Sequence, residues 1–483
     1  MSTAVRKACL SSVVAVLSLA VADCALGPNY KRPTAAAPAR YKEQVSTASN
    51  QEPRADWWTV FNDDTLNDLE HQVEVSNQNL AASEAAYRQA AAVIREQRAA
   101  FFPTLGIDAG TTRTGGLGRT NTSASTPAGT PGVVTARPPE TYEASASASW
   151  EIDLWGRLRR SLENARALGA ASADDLAAAT LSMQSQVATI YLQLREADAE
   201  RKLLEDTVAA YQRSLQIAQN RYNVGMAAKT DVLQAQTQLA NAQDQSAALV
   251  LQRAQFEHAI AALVGTAPGD FSLPVREAWQ TPVPDVPAGV PSTLLERRPD
   301  IAAAERRVAA ANANIGVEEA AYFPTLTLTG SYQLLATSVG TLFKTESATH
   351  SASAGIAESV FNGGATSARV AGARAAYDQA VAQYRQSVLT AFQDVEDQLA
   401  ASTWLARQYE FRREASEAAD ESERLTTNQY RAGTVDYTTV IVAQAAALSA
   451  RRGLAQIALS RQTNAVSLIA ALGGGWNPSA PPP

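Results

Sequence analysis

Ala100-Phe101-Phe102-Pro103-Thr104-Leu105 returns 221 residues later as Ala321-Tyr322-Phe323-Pro324-Thr325-Leu326, and each copy closes a helical pattern and opens an alternating one. The proline sets the switch, because it disfavours helical backbone in the residue before it. A second pair, Tyr222-Asn223-Val224-Gly225 and Tyr430-Arg431-Ala432-Gly433, is separated by 208 residues, and Val232-Leu233-Gln234-Ala235-Gln236 returns as Val440-Ile441-Val442-Ala443-Gln444. Solenoid repeats have periods of a few tens of residues, so a period this long means a duplicated half-molecule. The 483-residue chain is read as two interlocked repeats, 57–265 and 293–472, joined by a Pro-rich connection over 266–292.

Downstream of each Phe-Pro site the hydrophobic period is two. Leu105, Ile107 and Ala109 alternate with Gly106, Asp108 and Gly110; after a Gly/Thr/Ser/Pro-rich loop, Ala144, Ala146, Ala148 and Trp150 alternate with Ser145, Ser147 and Ser149. The second copy sets Leu326, Leu328, Tyr332 and Leu334 against Thr327, Thr329, Ser331 and Gln333, then Ala352, Ala354 and Ile356 against Ser351, Ser353 and Gly355. This predicts two strands per repeat, four per chain. Strands of about ten residues with one apolar and one small polar face suit a lipid-facing barrel. A soluble sheet with one solvated face gives the same alternation, so the strands by themselves leave both readings open.

The rest is helical, with helices expected over 65–102, 156–223, 230–265, 293–323, 365–430 and 438–472. In the second of these, Val187, Ile190, Leu194, Ala197, Leu204, Val208, Tyr211, Leu215, Ala218 and Tyr222 keep a 3-4 spacing broken only by Arg201. A heptad sustained this far means a supercoiled partner helix, and such a helix reaches roughly 100 Å at 1.5 Å per residue. In each repeat the two short helices together match the long one, so stacked end to end they would form a second rod. The expected fold is mainly α, a long antiparallel coiled-coil barrel with a small β portion.

Arg6, Lys7 and an apolar run up to Val21 mark residues 1–23 as a signal peptide, too short and too early for a membrane span. Both cysteines, Cys9 and Cys24, lie at this end, which makes Cys24 the expected lipid-attachment site and leaves no disulfide. A signal peptide cut elsewhere would leave Cys24 incidental, and Asp23 stands where lipoprotein signals carry a small residue. Residues 24–56 read as an extended arm and 473–483 as a disordered tail. Formal charge is −7, or −8 without the leader, which argues against nucleic acid as a partner. No catalytic, cofactor or metal signal stands out: His71, His258 and His350 lack ligand spacing, and Gly115-Gly116-Leu117-Gly118 lies in a loop, not between a strand and a helix.

Four strands cannot close a barrel, and open edges are not tolerated in lipid. About eight strands is the minimum, so the chain must assemble; three copies give twelve strands and twelve rods around a lumen. The object expected is an outer-membrane pore continuous with a helical tube crossing the periplasm. The rival is a periplasmic coiled-coil adaptor or structural lipoprotein whose strands form a small soluble domain.

At this point the sequence resembles the TolC-like outer-membrane efflux factors, and within them the NodT-type lipoprotein branch. The resemblance rests on Cys24-Ala25-Leu26-Gly27-Pro28-Asn29-Tyr30-Lys31-Arg32-Pro33, on Trp57-Trp58 with Phe61, on Leu295-Glu296-Arg297-Arg298-Pro299-Asp300-Ile301 running through Ala304-Glu305-Arg306-Arg307 to Phe323-Pro324, and on both Tyr-x-x-Gly turns. It implies a homotrimeric, non-enzymatic channel in outer-membrane lipid that exports drugs or other small toxic compounds. The implied partners are an inner-membrane pump of the resistance-nodulation-division (RND) type and a periplasmic adaptor docking at the tip of the tube.

The resemblance further implies that the turns at Gly225 and Gly433 form that tip, constricted by inward-facing carboxylates, Tyr and Arg. Asp231 matches one such acidic position, with Tyr222, Tyr430, Arg431, Asp436 and Tyr437 as neighbours. Relatives carry an Asp at the position of Val442 and a gate Leu at that of Thr438, so the second acidic ring is in question here. Asp231 also reads as an ordinary acid favoured at a helix N-terminus, and Tyr222 as the last heptad residue. Asp231→Ala is expected to raise channel conductance or drug leak; unchanged single-channel closure would remove Asp231 from the gate.

Overall fold

A computed structural model of the chain describes residues 25–35, 38–43, 56–113, 140–277, 283–284, 286 and 296–476. The expected leader, Cys24, most of the first strand loop and the far end of the tail lie outside them. The described elements are α1 (Asp64–Ser76), α2 (Gln78–Ala99), β1 (Thr104–Arg113), β2 (Glu140–Ile152), α3 (Arg157–Asn223), α4 (Lys229–Leu263), α5 (Pro299–Ala320), β3 (Thr325–Ala336), β4 (Ala348–Ala357), α6 (Ala365–Ala432) and α7 (Tyr437–Ala471), with short helical turns between. Among the described residues, no helix is long and apolar enough to cross a membrane.

These elements fall into two compact units, and neither coincides with a sequence repeat. One holds both Phe-Pro sites and all four strands, from Ala90–Gly169 and Arg307–Ala380 plus the arm as far as Arg32. Its sheet runs β1-β2-β3-β4, antiparallel throughout. The helices before the strands stop at Ala99 and Ala320, short of the expected Phe102 and Phe323, because each ends in a tighter three-residue turn. Phe102 N donates to Ala99 O at 3.0 Å, and Phe323 N to Ala320 O at 3.1 Å. Two tryptophans, one near the end of β2 and one just past it, bind the Phe-Pro sites: Trp150 Nε1 donates to Phe101 O at 3.0 Å, and Trp155 Nε1 to Pro324 O at 2.8 Å while its ring lies 4.9 Å from Phe323.

The part of the arm in this unit is tightly held. Buried Arg160 donates to Leu26 O, Gly27 O and Asn29 Oδ1, and Asn312 Nδ2 donates to Pro28 O. Gly27, at φ +89°, lies so close to Gly316 that a side chain on it would overlap the Gly316 backbone.

The other unit is helical. Trp57, Trp58 and Phe61 open its core and pack with Leu66, Leu69 and Val73 of α1, Val187 and Tyr191 of α3, Ile260 of α4 and Val466 of α7. Asp63 caps α1, accepting from Thr65 N and Leu66 N. The single helix expected over 65–102 breaks at Asn77, whose backbone turns extended at ψ 122°. Its Oδ1 accepts from Asn79 N and Leu80 N, restarting the helix as α2, while its Nδ2 donates to Leu263 O at the end of α4. That bond, with Gly265 pressed against Ser76 O, sets the end of α4 at the break between α1 and α2, inside the span read as one helix, so it is α2 and not the whole of 65–102 that follows on from α4.

Past α4, charge holds the start of the Pro-rich connection. Fully buried Arg195 pairs with Asp198 at 3.0 Å and donates to Pro274 O; Arg253 bridges Asp198, Glu257 and Leu273 O. Arg276 closes the network on Asp63 at 3.1 Å. The expected disordered tail needs correcting at its start: Gly473 and Gly474 are buried turn residues with positive φ, and a Cβ on Gly473 would strike Arg297 O while Gly474 packs on the Leu181 side chain. Residues 477–483 lie outside the described chain.

Glu70 of α1 is fully buried, and neither oxygen has a hydrogen-bond partner among the described residues. Burial, then the charge of Glu74, pushes its carboxyl up to about 9. The native state therefore holds a proton that the unfolded chain has lost above its ordinary carboxylate pKa. Stability conferred this way is complete in acid and falls as pH rises towards 9, by up to about 1.4 kcal/mol per pH unit. Glu70→Gln is expected to flatten that fall, read as the thermal unfolding midpoint between pH 6 and 8.5; an unchanged slope would mean that Glu70 is ionised in the native protein.

Candidate functional site

Both Tyr-x-x-Gly segments end a long helix in the same way. Gly225 and Gly433 take φ of +75° and +78°, and the next residue's N–H reaches back to close the cap, Met226 N to Arg221 O at 2.8 Å and Thr434 N to Gln429 O at 3.0 Å. This left-handed helix ending is the one glycine adopts without strain. The chain then re-enters helix as α4 and α7. Asp436 caps α7, accepting from Thr439 N and Thr439 Oγ1, and these two bonds hold its carboxyl below the usual range. The matching position at the start of α4 is Ala228, which offers no side-chain cap.

The four helix ends enclose a small core of Ala218, Ala235, Tyr430, Tyr437 and Val440. The Tyr430 and Tyr437 rings meet at 5.2 Å. Arg221 lies over the Tyr430 ring at 4.7 Å and donates from Nη1 to Tyr430 O at 2.6 Å, tying the end of α3 to the end of α6. Burial raises both phenols; Arg221 opposes the shift at Tyr430, and the Asp231 charge adds to it at both.

The structure therefore brings Tyr430, Tyr437 and Asp231 together and sets the other expected residues apart. Tyr222 is 42% exposed, so the heptad seam of α3 is buried as far as Ala218 and stops short of Tyr222. Arg431, Thr438 and Val442 are exposed. Asp231 stands in the first turn of α4, and Asp436 serves as a cap. Arg221 was missed. Its signal lay in the repeat itself, where Arg221 precedes the first Tyr and Gln429 the second, so the two copies were bound to differ at this point.

The sequence profile of the family described as "Outer membrane efflux protein" matches residues 69–266 and 290–474. The chain belongs to this family. It is 32% identical over 474 residues to the "Toluene efflux pump outer membrane protein TtgC" of Pseudomonas putida, covering 96% of this chain and 95% of that protein. The solved outer-membrane channel OprN superposes with a TM-score of 0.82 at 30% identity, covering 94% of this chain and 100% of that one. The open state of the Neisseria gonorrhoeae MtrE outer membrane channel gives a TM-score of 0.76 at 28% identity, covering 94% and 99%. The chain is thus an outer-membrane efflux channel protein, and the adaptor reading is set aside.

Arg221→Ala removes a charge-assisted bond of about 1.5–3 kcal/mol and a ring contact between two helix ends. The expected result is more frequent or larger single-channel openings in planar bilayers; records matching those of the unaltered protein would show that this tie does not restrain the channel.

Proposed function

We propose that three copies of this chain form the outer-membrane exit duct of a tripartite efflux system that carries small toxic compounds. The observation that carries it is the register of the sheet. Leu105, Ala148, Gly330 and Ala352 lie side by side across all four strands, followed by Ile107, Ala146, Tyr332 and His350. On the other face Gly106, Ser147, Ser331 and Ser351 share a row, and Ser331 and Ser351 bond at 2.9 Å. A one-residue slip anywhere would mix the faces. Among the described residues much of the apolar one lies open: Leu105, Ile107 and Ile356 are 81%, 87% and 73% exposed.

Hydrocarbon satisfies the apolar face, and a water-filled lumen the Ser/Thr face. The outer strands β1 and β4 have no neighbour on one side among the described residues, and lipid cannot supply one. Because the order is antiparallel with an even strand count, β4 of one copy meets β1 of the next in the same antiparallel sense, and three copies close at twelve strands.

The inner-membrane partner is a pump of the RND type, joined through a periplasmic adaptor at the Tyr-x-x-Gly turns. Tyr430, Tyr437, Asp231 and Arg221 restrain the tip, with Tyr222, Gly225, Arg431, Gly433, Asp436, Thr438 and Val442 around them. Cys24 carries lipid and anchors the chain to the outer membrane; the tight binding of Leu26 through Pro28 beside Arg160 and Asn312 supports an attachment point held next to the sheet-bearing unit. Relatives are named for toluene and for antibiotic efflux, which supports a substrate class of small toxic molecules.

The test is mass and conductance of the detergent-extracted protein. A trimer that forms ion-conducting pores, with acyl mass on the Cys24 peptide, is expected. A stable monomer in detergent-free buffer would overturn the duct, and an unmodified Cys24 at the mature N-terminus would overturn the anchor.

A further inference from the structure

Of the four helices near the turns, α6 is the least covered. Between 402 and 429 only Ser416 and Thr426 are buried, whereas over a similar span α3 buries Leu204, Tyr211 and Ala218 against its neighbours. Part of the exposed surface of α6 satisfies itself through ion pairs inside the helix, Arg413 with Glu410 and Glu417, and Arg424 with Glu421. Another part does not. Trp404, Phe411 and Leu425 are 53%, 70% and 47% exposed, and with exposed Ala418 they repeat every seven residues, the spacing of a coiled-coil seam.

A matching seam lies on α4. That helix turns Ala235, Ala242 and Leu249 inward, while Leu233, Ala240 and Ala247, also seven apart, are exposed. The α6 seam offers bulky side chains and the α4 seam mostly small ones, as knobs need holes. The charges match too. Asp244, between Ala240 and Ala247, and Arg407, stacked over Trp404 at 5.2 Å, each lack an ion-pair partner among the described residues. The levels agree: Arg412 of α6 packs against Gly453 of α7, and the adjoining Arg452 donates to Gln245 of α4 at 3.2 Å.

We propose that the Trp404–Phe411–Ala418–Leu425 seam of α6 is a subunit interface that receives the Leu233–Ala240–Ala247 seam of α4 from a second copy, with Asp244 of that copy facing the arginines of α6. The occupant is a second copy because the assembly already requires one. The open-edged strand β4 leads directly into α6, and a contact between two different faces, repeated around an axis, closes a ring. An apolar seam turned to a water-filled lumen would leave Trp404 and Phe411 hydrated, a cost that a neighbouring helix removes.

This rests on the trimer proposed above. The test is oxidative cross-linking of detergent-extracted Phe411→Cys/Ala247→Cys, with Phe411→Cys/Ala240→Cys as the neighbouring register. The natural thiols, Cys9 and Cys24, are controlled by the unaltered chain and by each single variant. Covalent dimers and trimers on a non-reducing denaturing gel, from a double variant and from neither single, are expected. If both double variants have trimer mass before denaturation yet run as monomers afterwards, the seam is not an interface and the duct stands. If the unaltered protein has no trimer mass, the duct itself has failed. Should the double variants not assemble, Trp404→Ala/Phe411→Ala is read instead: a lower dissociation temperature of the trimer supports the interface, and an unchanged one overturns it.

Discussion

The outer edges of β1 and β4 govern the rest of this molecule. In water such edges could be tolerated, but in hydrocarbon each unpaired N–H or C=O costs several kcal/mol. The sheet must therefore borrow its neighbours, and every other feature either permits or exploits that borrowing. The consistent alternation across four strands is what allows one face to meet lipid while the other stays wet. Long helices then become possible as well as necessary, because each chain brings too few rods to enclose a lumen alone.

Joining short helices into long rods is the second constraint. A helix end exposes four backbone groups, and stacking two ends without satisfying them would bury unpaired donors and acceptors. Asn77 solves this with one side chain that restarts α2 and also bonds the last carbonyl of α4. Gly265 and Gly473 solve the same problem sterically, since a Cβ at either would strike Ser76 O or Arg297 O. The buried Arg195, Asp198 and Arg253 network keeps the following segment against its helices. Breaking such a network leaves uncompensated charge, so it fixes geometry more than it adds stability.

Much of this was legible in the sequence because it follows from periodicity. Period two gave the strands, the heptad gave α3, and the Phe-Pro sites placed the switches within a few residues. What escaped were features whose cause lies in tertiary contact. Asn77 carries no signal that separates a surface asparagine from a double cap bonded to a residue 186 positions away. Gly473 to Gly475 look like a flexible tail in composition; all three take positive φ, and backbone at Arg297 presses on the first of them. Glu70 carries no sequence signal of burial, and it is burial, with the charge of Glu74, that raises its carboxyl.

The two Tyr-x-x-Gly turns show how far a duplication can be read. Aligning the two turns pairs Tyr222 with Tyr430, and symmetry would give them one role. In the structure Tyr430 is buried under Arg221 while Tyr222 is exposed, because only the first copy has an arginine before its tyrosine, and that arginine reaches across to the second. The acids diverge in the same way: Asp436 is a helix cap, whereas the first copy caps with nothing and places Asp231 one turn into α4. The two copies thus share one helix ending, and a single difference, Arg221 where the second copy has Gln429, supplies the donor that reaches the Tyr430 carbonyl. Arg221, a residue that distinguishes the two repeats, is for this reason also one that couples them, and comparing the copies within one sequence locates it.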